Sequence, residues 1–288
     1  MPRRTSLADA PAGADPAVHP QAAVHPGAKL AKGVRVSPFA VIGENVTVGS
    51  GTEIGPHAVI EGWTVIGKDC RIGIGAVIGA PPQDARYAGA RSLVVIGDRN
   101  TIREYVTIHR AAEVDHVTRL GNDNFLMAYA HVAHDCVIGD GVTIVNSVGL
   151  SGHVEVEDFA VIGGITPVHQ FVRIGAYAMV GGACRVRMDV VPFAMATGEP
   201  MRIYGLNRVG LRRRGFSRDR MKALKDAFRV LFWSGLNTSD AVARLKAEMG
   251  ANPDVARLVK FVELSRRGVT PGMRLEEVRG GEEGGEEA

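Results

Sequence analysis

Aromatic side chains make up only 6% of the 288 residues, and no stretch of the chain is long and apolar enough to span a bilayer. The first scarcity suits a narrow interior filled by small and aliphatic residues; the second excludes a membrane-spanning helix. Residues 1–15 contain Arg3 and Arg4 but no apolar run of the kind that directs secretion, so a cytoplasmic protein is expected. Charge of either sign is not in excess: the formal balance is +3, too small to imply a nucleic-acid partner. Cysteine is sparse, and Cys70, Cys136 and Cys184 form no Cys-x-x-Cys pair. Nor does a Gly-Lys-Ser/Thr follow any Gly-x-x-x-x-Gly, which removes the signature of a phosphate loop.

What is present is a period. An aliphatic residue recurs every sixth position from Val18 through Leu30, Ile42, Ile54 and Ile66 to Ile78, and the same phase runs from Ile96 to Val186. A strand keeps period two and a helix 3.6, so the pattern specifies a solenoid built from six-residue edges. The slot four residues further on is small, as at Ala22, Ala40, Ala58 and Ala76, and the three cysteines fall in it as buried packing residues. One large and one small inward position per edge fit a coil of three short strands, about 18 residues around, with coils ~4.8 Å apart. Residues 18–186 would make roughly nine coils.

Two stretches break the phase, residues 79–93 and 110–119, and both are expected to be loops ejected from the prism. Four regions follow: a mobile Ala/Pro-rich leader over 1–17, the solenoid over 18–198, a helical domain over 199–270, and a disordered acidic tail over 271–288. Within the helical domain, Ser217 caps a helix ended by Gly235. A second spans 239–249, and Asn252-Pro253 opens a third that closes near Gly268.

His109, His131, His134, His153 and His169 all lie off the two inward slots and should project outward. Solvated surface histidines are one reading of that placement. The segment Ala130-His131-Val132-Ala133-His134-Asp135 suggests another, because a neutral imidazole suits general-base work on a hydroxyl and a neighbouring carboxylate fixes its tautomer. Gly152 follows His134 by one coil, so its backbone should lie beside the imidazole with an N–H open to an oxyanion; a plain corner glycine is the alternative. His131-x-x-His134 with His109 or His153 could be imagined as zinc ligands, yet no further ligand pattern accompanies them and no metal is expected.

The strings Ile108-His109-Arg110, Ala130 through Cys136, Val168-His169-Gln170-Phe171, Gln83-Asp84 with Tyr87-Ala88-Gly89, and Arg213-Arg214-Gly215-Phe216-Ser217 resemble the UDP-N-acetylglucosamine O-acyltransferases that begin lipid A biosynthesis. The resemblance implies a left-handed parallel β-helix of hexapeptide repeats, followed by a small α-helical C-terminal domain, in a homotrimer with active sites between neighbouring prisms. It implies that His134 removes the proton of the glucosamine 3-hydroxyl, that Asp135 orients it, and that the Gly152 N–H receives the oxyanion. The acyl donor would be the thioester of (3R)-3-hydroxyacyl-acyl carrier protein, with no cofactor. Gln83, Asp84 and Arg86 match first-loop positions near the sugar nucleotide, and His109, His131, His153, His169 and Gln170 match cleft positions. Asn207 and Arg213 match C-terminal contacts, Arg212, Arg213 and Arg214 giving charge suited to a diphosphate and an acidic carrier. Gly182 matches the position limiting acyl length, where glycine leaves room for a long chain. Arg86 and Val209 depart from the family's common lysine and acidic residue. N-acylation of a 3-amino UDP-sugar, a non-catalytic solenoid that binds carrier protein, and a zinc hydratase remain as competing readings.

Overall fold

A computed structural model describes residues 15–273, so most of the leader and tail anticipated at the two ends lies outside the described residues. The hexad phase becomes three parallel sheets wound by one chain. The first carries Ala17–Val18, Arg35–Val36, Glu53–Ile54, Arg71–Ile72 and their successors; the second begins at Ala23–Val24 and the third at Lys29–Leu30. Strands of two to four residues are short because each edge must turn within its hexad. Pairing sets each aliphatic position directly over its equivalent in the next coil: Val36 on Ile54, Ile54 on Ile72, Ile72 on Ile102, Ile102 on Leu126. These ladders are buried, each member contributing about 1.5–3 kcal/mol of apolar burial. The small slot is equally closed, with Ala40, Ala58, Ala76, Cys70 and Cys136 fully inside. Burial pushes the Cys136 thiol up to about 12, which leaves it unreactive.

Coil contact explains the glycine that often follows the aliphatic residue. A Cβ on Gly49 would stand 2.6 Å from the carbonyl carbon of Gly67 in the next coil. The corners have a second requirement that the sequence does not advertise: the third residue after the aliphatic position adopts positive φ even where it is not glycine, as at Asp69, Asp123, Asp135, His153 and Phe171.

Both phase breaks leave the prism and return in register. The first runs between the strands Val77–Ala80 and Leu93–Ile96, the second between Thr107–His109 and Val117–Leu120, so each loop is shorter than the irregular sequence around it. Ile78 still pairs Ile108, and Ile96 pairs Leu120.

The C-terminal end differs from expectation in several respects. A strand at Ala194–Thr197 adds to Met179–Val180 and then turns back, antiparallel, as Arg202–Leu206, a hairpin without the hexad pattern. Among the described residues four helices follow: α1 (Arg208–Arg213), α2 (Arg218–Trp233), α3 (Thr238–Met249) and α4 (Pro253–Glu263). Ser217 and Asn252 cap α2 and α4, but α3 starts one residue early because Asn237, whose side chain accepts from the Asp240 N–H, takes the cap. Helix α4 stops at Leu264, well before Gly268. The chain there is diverted onto the solenoid: Ser265 Oγ donates to Asp189 Oδ2 at 2.7 Å, and Asp189 bridges Val269. Order continues into the stretch assigned to the tail, since Gly272 bridges Ile203 and Trp233 Nε1 donates to the Met273 carbonyl at 2.9 Å.

Candidate active site

One corner of the prism, between the strands His131–Val132 and Val137–Ile138, carries His134 and Asp135; the coils above it place Gly152 with His153, then Gln170 with Phe171, at the same corner. His134 Nδ1 lies 2.8 Å from Asp135 Oδ2. An ionised carboxylate only accepts, so Nδ1 donates and the neutral ring keeps its lone pair on Nε2. Burial alone would raise the Asp135 pKa; the hydrogen bonds from His134 and the Ala112 amide, with the nearby histidine charges, outweigh it and hold the carboxyl below its ordinary value.

The edge of the His134 ring rests against Gly152. A Cβ there would meet Cε1 at 2.5 Å and Nε2 at 2.6 Å, so no side chain fits while the imidazole holds this position. The Gly152 carbonyl accepts from Phe171 N at 3.2 Å, which fixes the peptide, while the Gly152 N–H has no backbone acceptor among the described residues. His153 crosses the His134 ring at right angles and stacks on Phe171, centroids 4.6 Å apart. A 570 Å³ cavity opens beside it, lined by His153, Glu155, Phe171, Arg173, Leu264 and Arg266.

Outward projection from the prism does not mean exposure. His134 is 7% exposed and His109 5%, so the alternative of solvated surface rings does not hold for these two. His109 meets His131 edge-on at 4.9 Å, and its Nδ1 has no partner among the described residues. Burial, reinforced by the charges of His131, His134 and Arg110, lowers its pKa to about 4, so the ring is neutral near pH 7. His131 shares a 2.6 Å bond between Nδ1 and Thr107 Oγ1, and burial lowers its pKa as well. Among the described residues, the set whose donor atoms converge within 4.8 Å is His134, Asp135 and His153; it could hold a cation, but it leaves out His131, so the imagined His131-x-x-His134 ligand pair is not assembled there.

The first loop, expected to contact the sugar nucleotide, pairs two of its own charges. Asp84 and Arg86 form a fork with each other, Arg86 Nε to Oδ1 at 3.1 Å and Nη2 to Oδ2 at 2.9 Å, and the guanidinium pulls the Asp84 pKa down to about 2. Gln83 beside it is exposed. His169 Nδ1 is spent on the Gln170 carbonyl at 3.1 Å, with both residues exposed.

Asn207 and Arg213 do not join this corner within one chain. Asn207 caps α1 and donates to the Tyr177 carbonyl at 2.9 Å, which occupies its amide; Arg213 is exposed in the last turn of α1, and Arg214 stacks on Phe159. Val209 is exposed on the same helix. A Cβ on Gly182 would lie 3.2 Å from the Gly164 carbonyl oxygen, a tight fit beside another glycine pair. Sequence reasoning missed three supports of Asp135: the Ala112 amide, Thr118 Oγ1, which accepts from Asp135 N at 2.8 Å, and His116. Ala112 and His116 are in the irregular second loop, where the hexad phase carries no positional information, and Thr118 lies in the strand just after it, inside the stretch expected to be irregular although it fills a small inward slot.

Comparison with known proteins adds independent support. Residues 189–270 match the family model described as UDP-N-acetylglucosamine O-acyltransferase, domain 2, and residues 27–62 and 118–152 match the bacterial transferase hexapeptide model. The chain is similar to the acyl-[acyl-carrier-protein]–UDP-N-acetylglucosamine O-acyltransferase of Alkalilimnicola ehrlichii, 49% identical over 88% of this chain and 98% of that protein. Among solved structures it resembles the UDP-N-acetylglucosamine acyltransferases of Francisella novicida (TM-score 0.86, 40% identity, 88% of this chain and 94% of that one) and Bacteroides fragilis (TM-score 0.86, 41% identity, 89% and 100%).

Proposed function

Because the chain belongs to the UDP-N-acetylglucosamine O-acyltransferase family, we propose that it moves an acyl group from acyl carrier protein to UDP-N-acetylglucosamine as the first step of lipid A biosynthesis, with His134 as the base. The observation that carries the mechanism is the pairing of His134 with Gly152: a lone pair on Nε2 and a free backbone N–H meet at one corner.

Nε2 accepts the proton of the glucosamine 3-hydroxyl as its oxygen forms a bond to the thioester carbonyl carbon. The negative charge that develops on the carbonyl oxygen is received by the Gly152 N–H. Collapse breaks the C–S bond, and the imidazolium returns its proton to the departing thiolate. Asp135 holds the ring's Nδ1 proton throughout and stabilises the imidazolium. The donor is a (3R)-3-hydroxyacyl chain, and Gly182 leaves the groove open to a long one. The solenoid is left-handed and the working unit a homotrimer; the separation of Asn207 and Arg213 from the dyad within one chain supports a site completed by a neighbouring copy. No helix among the described residues is long and apolar enough to cross a membrane, in keeping with a carrier protein and a sugar nucleotide as water-borne substrates.

Mass-spectrometric assay of purified protein with UDP-N-acetylglucosamine and hydroxyacyl carrier proteins of graded length tests this reading. His134→Ala should fold normally and lose roughly 10³-fold or more in turnover. Near-parental turnover would remove His134 from the role of base.

A further inference from the structure

The second loop, between His109 and Val117, folds back onto Asp135. From it the Ala112 N–H donates to Oδ2 at 3.1 Å, and the His116 ring presents Nδ1 to Oδ1 at 3.3 Å. The carboxylate is thereby closed off, its side chain 7% exposed, although His116 itself is 53% exposed and its Nε2 faces Glu113 across 3.6 Å. Asp135 is thus approached by three imidazoles: His134 and His116 on different oxygens, and His153 at 4.0 Å from Oδ2. An acceptor-only carboxylate makes the His116 Nδ1 a donor.

The division of oxygens has a mechanical consequence. His134 works as a base only while Oδ2 is aimed at its Nδ1, and that aim depends on rotation of the carboxylate about its Cβ–Cγ bond. Contacts to Oδ2 alone leave the plane free to swing; a donor on Oδ1 pins it. The two oxygens also share the charge, so the strength of the His134 contact responds to what His116 does.

We propose that His116 is a positioning residue for acyl transfer, acting on His134 through the second oxygen of Asp135. The inference rests on the reading of His134 as the base. His116 touches no reacting atom, so its removal should be felt in turnover and not in the binding of the sugar nucleotide.

His116→Ala should lower kcat about tenfold, the scale of one hydrogen bond to a charged group, with KM for UDP-N-acetylglucosamine unchanged within about twofold. His116→Asn puts an amide N–H where Nδ1 was and should restore kcat to within about threefold of the parent. In an Asp135→Ala background the same His116→Ala change should cost nothing further, as expected of two residues on one path. A His116→Ala enzyme within twofold of parental kcat, an asparagine variant as impaired as the alanine one, or a full extra loss in the Asp135→Ala background would each overturn the proposal. The His134→Ala control separates the two levels. If it keeps its turnover, the base assignment falls and this inference with it; if it is inactive beside a fully active His116→Ala protein, the inference alone fails.

Discussion

At the scale of single residues, Gly152 is the most constrained position in the site. It sits where the His134 imidazole presses against the backbone, and a methyl group there would stand 2.5 Å from Cε1 and 2.6 Å from Nε2, well inside contact distance. The ring would have to turn away, breaking the 2.8 Å bond to Asp135 and withdrawing Nε2 from the place the proposed base role requires. Gly152→Ala should therefore keep the solenoid, because the change is at an outward corner, and lose about 100-fold or more in kcat. Circular dichroism with single-turnover assays would check both halves, and an alanine variant of normal activity would mean that the His134 ring works from a different position. The 18-residue spacing of His134 and Gly152 made this pairing legible from sequence, because coil stacking converts a count of residues into adjacency. The burial of His134 and His109 was not legible: the hexad gives direction relative to the prism, and what covers an outward residue depends on loops outside the repeat.

Secondary-structure elements divide along the same line. Strands came directly from the phase, since each aliphatic position had one consistent neighbour above and below. The hairpin Ala194–Thr197 and Arg202–Leu206 did not, because it adds to the last coil by a different geometry, and α4 ends early for a reason only tertiary contacts supply. That reason is Asp189, 1% exposed, whose Oδ1 accepts from Arg173 N at 2.8 Å while Oδ2 takes Ser265 Oγ at 2.7 Å. One carboxylate fastens the final solenoid coils to the segment leaving α4. Asp189→Ala leaves a backbone N–H and a hydroxyl without their acceptor and should cost about 2–4 kcal/mol. Chemical denaturation would measure the loss, and a change below about 0.5 kcal/mol would show that water or rearrangement replaces the carboxylate.

For the molecule as a whole, a solenoid is held together coil by coil, so local stability depends on how many neighbours a coil has and how well its end is covered. The two ends of the described structure differ. The first coil is thinly covered: Val18 is 40% exposed, and the strands Ala17–Val18, Ala23–Val24 and Lys29–Leu30 contain no buried residue. At the other end the hairpin and helices seal the interior, leaving Phe193 1% and Ile203 0% exposed. The middle coils, such as those holding Ile54, Ile72 and Ile102, have a partner on each side. Opening should therefore begin at the N-terminal end and advance toward the site, whose corner at His134 and Gly152 lies in coils with partners on both sides. Native-state hydrogen exchange on the full chain should find the amides of residues 17–31 exchanging at least ~100-fold faster than those of residues 125–150. The capped end, residues 174–206, should be protected nearly as well as the middle. Equal protection at 17–31 and in the central coils would mean that the N-terminal end is covered in solution, and it would shift the expected starting point of unfolding to the two loops. With the fraying confined as predicted, the corner at His134 and Gly152 keeps its geometry while the first coils open and close.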